Sequence, residues 1–289
     1  MGLKHKFPAG NNGRGITLEQ RRDAVMSVLH DAAASAHIPH GLLGTVWGIE
    51  SHFGKHLTSP TRCSGDFQFS RRTFANIIRD HGAQIAERLK AMGHGETADR
   101  VRDAYHKLHA GAIDLNDRAL SALRHNAYAS TYAAAHLMHD TARLVHVDAS
   151  KQENWHYIYA GYNLGPKAVE KMRHQFAHTP DVKNHLGSVA RHNPQFFHNH
   201  ATGAQALHNY QRFMRDYTDM FFAHLDPKHA KTMMASNETS QTPVKSKDEP
   251  GFLSGIFSLV NDIKETARTY LAGEPREVTG PGVRAPVFV

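Results

Sequence analysis

Between Pro39 and Phe53 the chain reads Leu42-Leu43-Gly44-Thr45-Val46-Trp47-Gly48-Ile49-Glu50-Ser51-His52-Phe53, with Leu42, Val46, Ile49 and Phe53 recurring at spacings of four, three and four. That period belongs to an α-helix, and Pro39 suits its first turn, where a missing amide hydrogen costs little. Gly41, Gly44 and Gly48 each cost such a helix up to about 1 kcal/mol relative to alanine. The segment is therefore expected to be a core helix with another element packed closely on its glycine face.

The same period runs along most of the 289 residues, and alternating β-branched runs are few, so the chain is expected to be mainly α. Residues 1–15 read as a flexible N-terminal arm. Thr17 followed by Gln20 makes an approximate capping box ahead of Val25, Val28, Leu29 and Ala32 on one helical face. Residues 54–69 carry Gly, Ser, Pro and Thr around a Phe-Gln-Phe alternation, the pattern of a loop or small hairpin. Helical patterning resumes near Arg71 and runs to about Met92, and a Gly93-His94-Gly95 break precedes a second helix ending near Ala110. Asp114 to about Val145 reads as one further long helical stretch, and Trp155 to Tyr162 and Lys167 to Phe176 flank an Asn-Leu-Gly-Pro turn.

The main domain is expected over residues 16–178, followed by a helical extension over 179–234 whose Tyr210, Phe213, Tyr217 and Phe221 should pack on the core. Residues 235–250 are polar and read as a linker. Phe252, Ile256, Val260, Ile263, Ala267 and Leu271 mark an amphipathic helix over 251–272, and 273–289 read as a flexible tail.

Cys63 is the single cysteine, which excludes an intramolecular disulfide and a cysteine-based zinc site. The formal charge of +7, with 24 histidines that gain charge toward pH 6, suits an anionic polymer as partner. Helix-turn-helix and zinc-finger spacings are missing, as is the aromatic-plus-basic pattern of single-strand binders, so nucleic acid is not the expected polymer. No run reaches the roughly eighteen apolar residues of a membrane span, and no apolar signal core follows Met1 to Lys6. The pairs His52 and His56, His136 and His139, and His198 and His200 have spacings a metal could use. Such pairs arise by chance in a histidine-rich chain, and no zinc-protease arrangement accompanies them, so neither metal nor cofactor is expected.

Glu50 is a carboxyl at the end of an apolar helical run, with Val46 and Trp47 one turn behind it. Burial there should raise its pKa, and the negative end of the helix dipole pushes the same way. A carboxyl kept protonated near neutral pH is what general-acid cleavage of a glycosidic bond requires. Downstream lie Ser64-Gly65-Asp66-Phe67-Gln68-Phe69 and Ala160-Gly161-Tyr162-Asn163-Leu164-Gly165-Pro166. In that order, Glu50-Ser51 and these two blocks resemble the Glu-Ser, Gly-x-x-Gln and Ala-Tyr-Asn-x-Gly motifs of the soluble lytic transglycosylases, relatives of goose-type lysozyme. The resemblance covers roughly residues 17–178.

The resemblance implies a lysozyme-like helical domain that cleaves the MurNAc-GlcNAc bond of peptidoglycan glycan strands. Glu50 would protonate the glycosidic oxygen and then accept the proton of the muramoyl 6-hydroxyl, which closes a 1,6-anhydro ring without consuming water. Ser51, Phe67, Gln68, Tyr162 and Asn163 would contact substrate or shape its groove. Read without the resemblance, Ser51 is a helix-end hydroxyl and Tyr162 a core aromatic. Asp66 departs from the family pattern, standing where a large apolar residue is usual. It is either a loop carboxylate or a second carboxylate that positions a water and turns the reaction toward hydrolysis. A hydrolytic muramidase is accordingly one alternative, and a non-catalytic wall-binding or virion structural protein is another. Synthesis in the cytoplasm without a signal peptide, then wall access from a phage particle, a secretion machine or through a holin, is the expected route. Residues 251–289 would dock to a virion or secretion-apparatus protein.

Overall fold

The computed structural model describes residues 16–59, 63–174, 196–197 and 203–229. Nine α-helices follow one another among these residues. They are α1 Leu18–Ser35, α2 His40–Ser51, α3 Arg71–Ala91, α4 Gly95–His109, α5 Arg118–Arg124, α6 Ala127–Leu144, α7 Trp155–Leu164, α8 Pro166–His174 and α9 Gly203–His224. No strand is present among the described residues. Within 54–69, the described residues 54–59 and 63–69 form turns held by isolated bridges from Ser64 to Thr58 and to Phe69. All described residues belong to one unit ending at Ala235. The N-terminal arm, the linker, the amphipathic helix and the tail read from the sequence lie outside the described residues.

The local signals explain the helix ends. Thr17 Oγ1 accepts from the Gln20 amide at 3.1 Å, and the Thr17 amide donates to Gln20 Oε1 at 2.9 Å, so the capping box is complete. Pro39 stands one position earlier than expected, at the cap of α2 rather than in its first turn. The stretch from Asp114 to Val145 is not one helix. Asn126 interrupts it by turning its side chain back to accept from the Ala129 amide at 3.0 Å, which caps α6 and separates it from α5.

Two helices are buried on nearly every side. α6 packs against α1, α3 and α7, and its Ala127, Ala129, Ala133, Ala134 and Ala135 let those neighbours come close. α2 packs against α9, α1 and α6. Its glycine face meets α9: a Cβ at Gly41 would lie 2.8 Å from the Phe222 ring, one at Gly44 2.3 Å from Phe221, and one at Gly48 2.8 Å from Tyr217. Thr45 and Thr218 close the same interface with a buried hydroxyl pair at 2.8 Å. The 203–224 helix is thus the element for which the glycines of α2 make room.

Gly44→Ala provides the test of this contact. The alanine gains about 1 kcal/mol of helix propensity but must displace the fully buried Phe221 ring, and overpacking of that kind costs about 1–3 kcal/mol. A net loss of up to about 2 kcal/mol in urea unfolding is expected. A more stable variant would mean that α9 is not seated on this face.

Candidate active site

Glu50 lies in the last turn of α2, and the chain behind it is held in an uncommon conformation. His52, Phe53 and Gly54 have φ of 50°, 56° and 82°, three successive left-handed residues that end the helix sharply. Ser51 fastens this turn. Its hydroxyl donates to the Trp47 carbonyl at 3.1 Å and accepts from the Gly54 amide at 3.0 Å, and the residue is fully buried. Ser51 therefore shapes the backbone beside Glu50, and the expectation that it contacts substrate is corrected.

The Glu50 carboxyl is enclosed by protein while the residue keeps partial solvent access. Burial pushes its pKa from 4.5 up to about 8, against a smaller opposing effect of the Tyr159 hydroxyl, which donates to Oε1 at 3.0 Å. Three tyrosines surround this carboxyl. Tyr159, Tyr162 and Tyr210 all have phenol pKa values raised well above the ordinary one, first by burial and then by the charge of Glu50. They remain protonated donors at any physiological pH.

Tyr162 does not bond to the Glu50 carboxyl. Its hydroxyl donates to the Phe67 carbonyl at 2.6 Å and so ties α7 to the 54–69 turns. Asn163 accepts from the Tyr210 hydroxyl at 2.9 Å, and Tyr210 stacks on Phe196 with ring centroids 4.0 Å apart. The α7 motif is therefore anchored from two directions, by the 54–69 turns and by α9. Tyr159 stands three residues before Tyr162 on the same helical face, and that spacing is the signal that could have picked it out. No local signal marks Tyr210, which comes from a helix 160 positions beyond Glu50.

The 54–69 turns hold the remaining motif residues. Gly65 has φ of 85°, and a Cβ there would lie 2.2 Å from the Arg124 carbonyl, so only glycine allows the turn to approach α5. Gln68 is also left-handed, with φ of 48°. Its Nε2 donates to the carbonyls of His56 at 3.0 Å and Gly65 at 2.9 Å, leaving Oε1 buried with no hydrogen-bond partner among the described residues. The Phe67 side chain is fully buried in the core, so its expected substrate contact is corrected: it serves the site through its carbonyl.

Asp66 is not a second carboxylate of this site. It is fully buried and paired with Arg21 of α1, Nη1 to Oδ2 at 2.6 Å, and Arg21 also donates to the His125 carbonyl at 3.3 Å. Burial pushes the Asp66 carboxyl up, and the guanidinium opposes this, with a smaller contribution from the nearby Trp47 indole. The buried pair joins α1 to the turns. Asp66 is the loop carboxylate of the two alternatives.

The arrangement offers one protonated carboxyl at neutral pH and a phenol hydrogen-bonded to it. It suits proton transfer to and from a bound oxygen. No family model matches the chain, and no curated protein matches it either.

Proposed function

We propose that this protein is a peptidoglycan lytic transglycosylase that cleaves the β-1,4 bond between MurNAc and GlcNAc and leaves a 1,6-anhydroMurNAc end. The observation that carries the proposal is the Glu50 carboxyl at the end of α2, held protonated to about pH 8 and touched by the Tyr159 hydroxyl. Glu50 donates its proton to the glycosidic oxygen as that bond breaks. The carboxylate so formed takes the proton of the muramoyl 6-hydroxyl as its oxygen bonds to C1, which restores the acid. Tyr159 bonds the carboxyl through Oε1 and steadies it while it is charged. The ordered Glu-Ser, Gly-x-x-Gln and Tyr-Asn motifs support the same reading. Burial of Asp66 in its pair with Arg21 favours attack by the 6-hydroxyl over hydrolysis, because it withdraws the carboxylate that the sequence offered for activating water.

Release of soluble muropeptides from purified sacculi, followed across pH, tests the proposal. The rate should hold through neutral pH and fall above about pH 8 as Glu50 loses its proton. Tyr159→Phe removes a hydrogen bond that stabilises the carboxylate, worth about 1.5–3 kcal/mol to a charged group, so it should move the alkaline limb upward by roughly one to two pH units. An alkaline limb that stays in place would remove Tyr159 from the mechanism. Sacculi that bind the protein but release nothing would favour a wall-binding role. Docking to a virion or secretion apparatus through residues 251–289 rests on the sequence pattern of a polar linker, the helical period of Phe252 to Leu271 and the Pro/Gly-containing tail.

A further inference from the structure

His30 on α1, His40 at the first turn of α2, and Asp226 and His229 just beyond α9 converge at the opposite end of α2 from Glu50. One ligand atom from each lies within 4.8 Å of all the others. His30 Nε2 and His40 Nε2 stand 3.3 and 3.2 Å from the same oxygen, Asp226 Oδ2. Four ligands at about 2.0–2.1 Å around a tetrahedral zinc ion are separated by roughly 3.3–3.4 Å, so these two separations are already those of a coordination shell. Asp226 Oδ1 meanwhile meets His229 Nδ1 at 2.6 Å, a carboxylate contact that fixes the orientation of that ring.

Hydrogen bonding within the protein leaves this group incomplete. Asp226 is more than nine-tenths buried, and its Oδ2, together with His40 Nε2, has no well-directed hydrogen bond. Two buried polar atoms 3.2 Å apart with no well-directed hydrogen bond between them carry a penalty that a shared cation would remove. The outer members leave an entry path, since the side chains of His30 and His229 are close to half exposed.

We propose that His30, His40, Asp226 and His229 form a structural site for a divalent cation of borderline softness, with Zn²⁺ the best fit. Three imidazoles and one carboxylate close a tetrahedral shell with no position for substrate, which is the pattern of a structural rather than a catalytic zinc. The ion fastens the end of α9 to α1 and α2. Its effect on the candidate active site is to hold in place the helix that carries Tyr210 and Tyr217. The histidine pairs with metal spacing in the sequence are near neighbours along the chain, whereas these ligands come from positions 30, 40, 226 and 229.

The full chain, stripped with a strong chelator and then titrated with Co²⁺ and Zn²⁺, tests the site without reference to activity. One equivalent of Co²⁺ should give the intense visible bands of four-coordinate cobalt, Zn²⁺ should displace it, and one Zn²⁺ per chain should raise the melting temperature. His229→Ala and His30→Ala alter exposed members and leave the helices capable of folding. Loss of a direct ligand in either should weaken binding by more than the ~10- to 100-fold typical of outer-shell changes. His224→Ala, an exposed histidine outside the cluster, should bind like the wild type. The site would be overturned by the absence of a saturable equivalent, by octahedral cobalt spectra, or by binding that survives both substitutions and so belongs to the other histidines.

Discussion

Glu50→Gln should abolish glycan cleavage and, at neutral pH, yield a fold more stable than the wild type. The acid has an ordinary pKa of 4.5 when unfolded and about 8 in the fold, so between those values the folded state binds more protons than the unfolded state. Stability therefore falls as pH rises through that window, by up to about 1.4 kcal/mol per pH unit, and the cost is complete once pH passes the folded pKa. At pH 7 it amounts to about 3 kcal/mol, which the glutamine escapes because it does not ionise. Urea unfolding at pH 5 and pH 7 should show the advantage of the variant widening by about 2–3 kcal/mol. An advantage that stayed constant would mean that Glu50 titrates as an ordinary carboxyl and is no ready acid at neutral pH.

Arg21→Met should be the most destabilising single change near the site, even though Arg21 touches no candidate catalytic atom. It leaves the fully buried Asp66 carboxyl without its cation, and breaking a buried pair from one side costs about 3–5 kcal/mol. The double change Arg21→Met with Asp66→Leu removes both charges and should recover most of that loss, because the desolvation penalty goes with the pair. Equilibrium unfolding of the two single variants and the double variant measures the coupling directly. Additive losses would mean that the contact between α1 and the 54–69 turns contributes little. Cleavage by the folded double variant is expected to persist, since Asp66 takes no part in the chemistry.

The helical class, the capping box at Thr17 and the close packing on the glycine face of α2 were legible because each depends on a few residues adjacent in sequence. Glu50 was legible for the same reason: a carboxyl ending an apolar run is a local anomaly with a chemical use. The orientation of side chains within the motifs was not. Ser51 and Phe67 sit beside catalytic-type neighbours in sequence, but the left-handed turn at residues 52–54 and the tight 54–69 turns rotate them into the core. The sequence left two readings of Asp66 open because its partner Arg21 lies 45 positions earlier. Tyr159 was hidden by Tyr162, and the roles of Tyr210 and of the histidine cluster depend on where α9 packs. Long-range pairings of this kind leave little mark on a single sequence.

Mass spectrometry of the muropeptides released from purified sacculi tests the central claim most directly. The wild-type chain should produce 1,6-anhydromuramoyl ends, and folded Glu50→Gln should produce none. Reducing muramoyl ends from the wild type, or anhydro ends that persist in the variant, would contradict it.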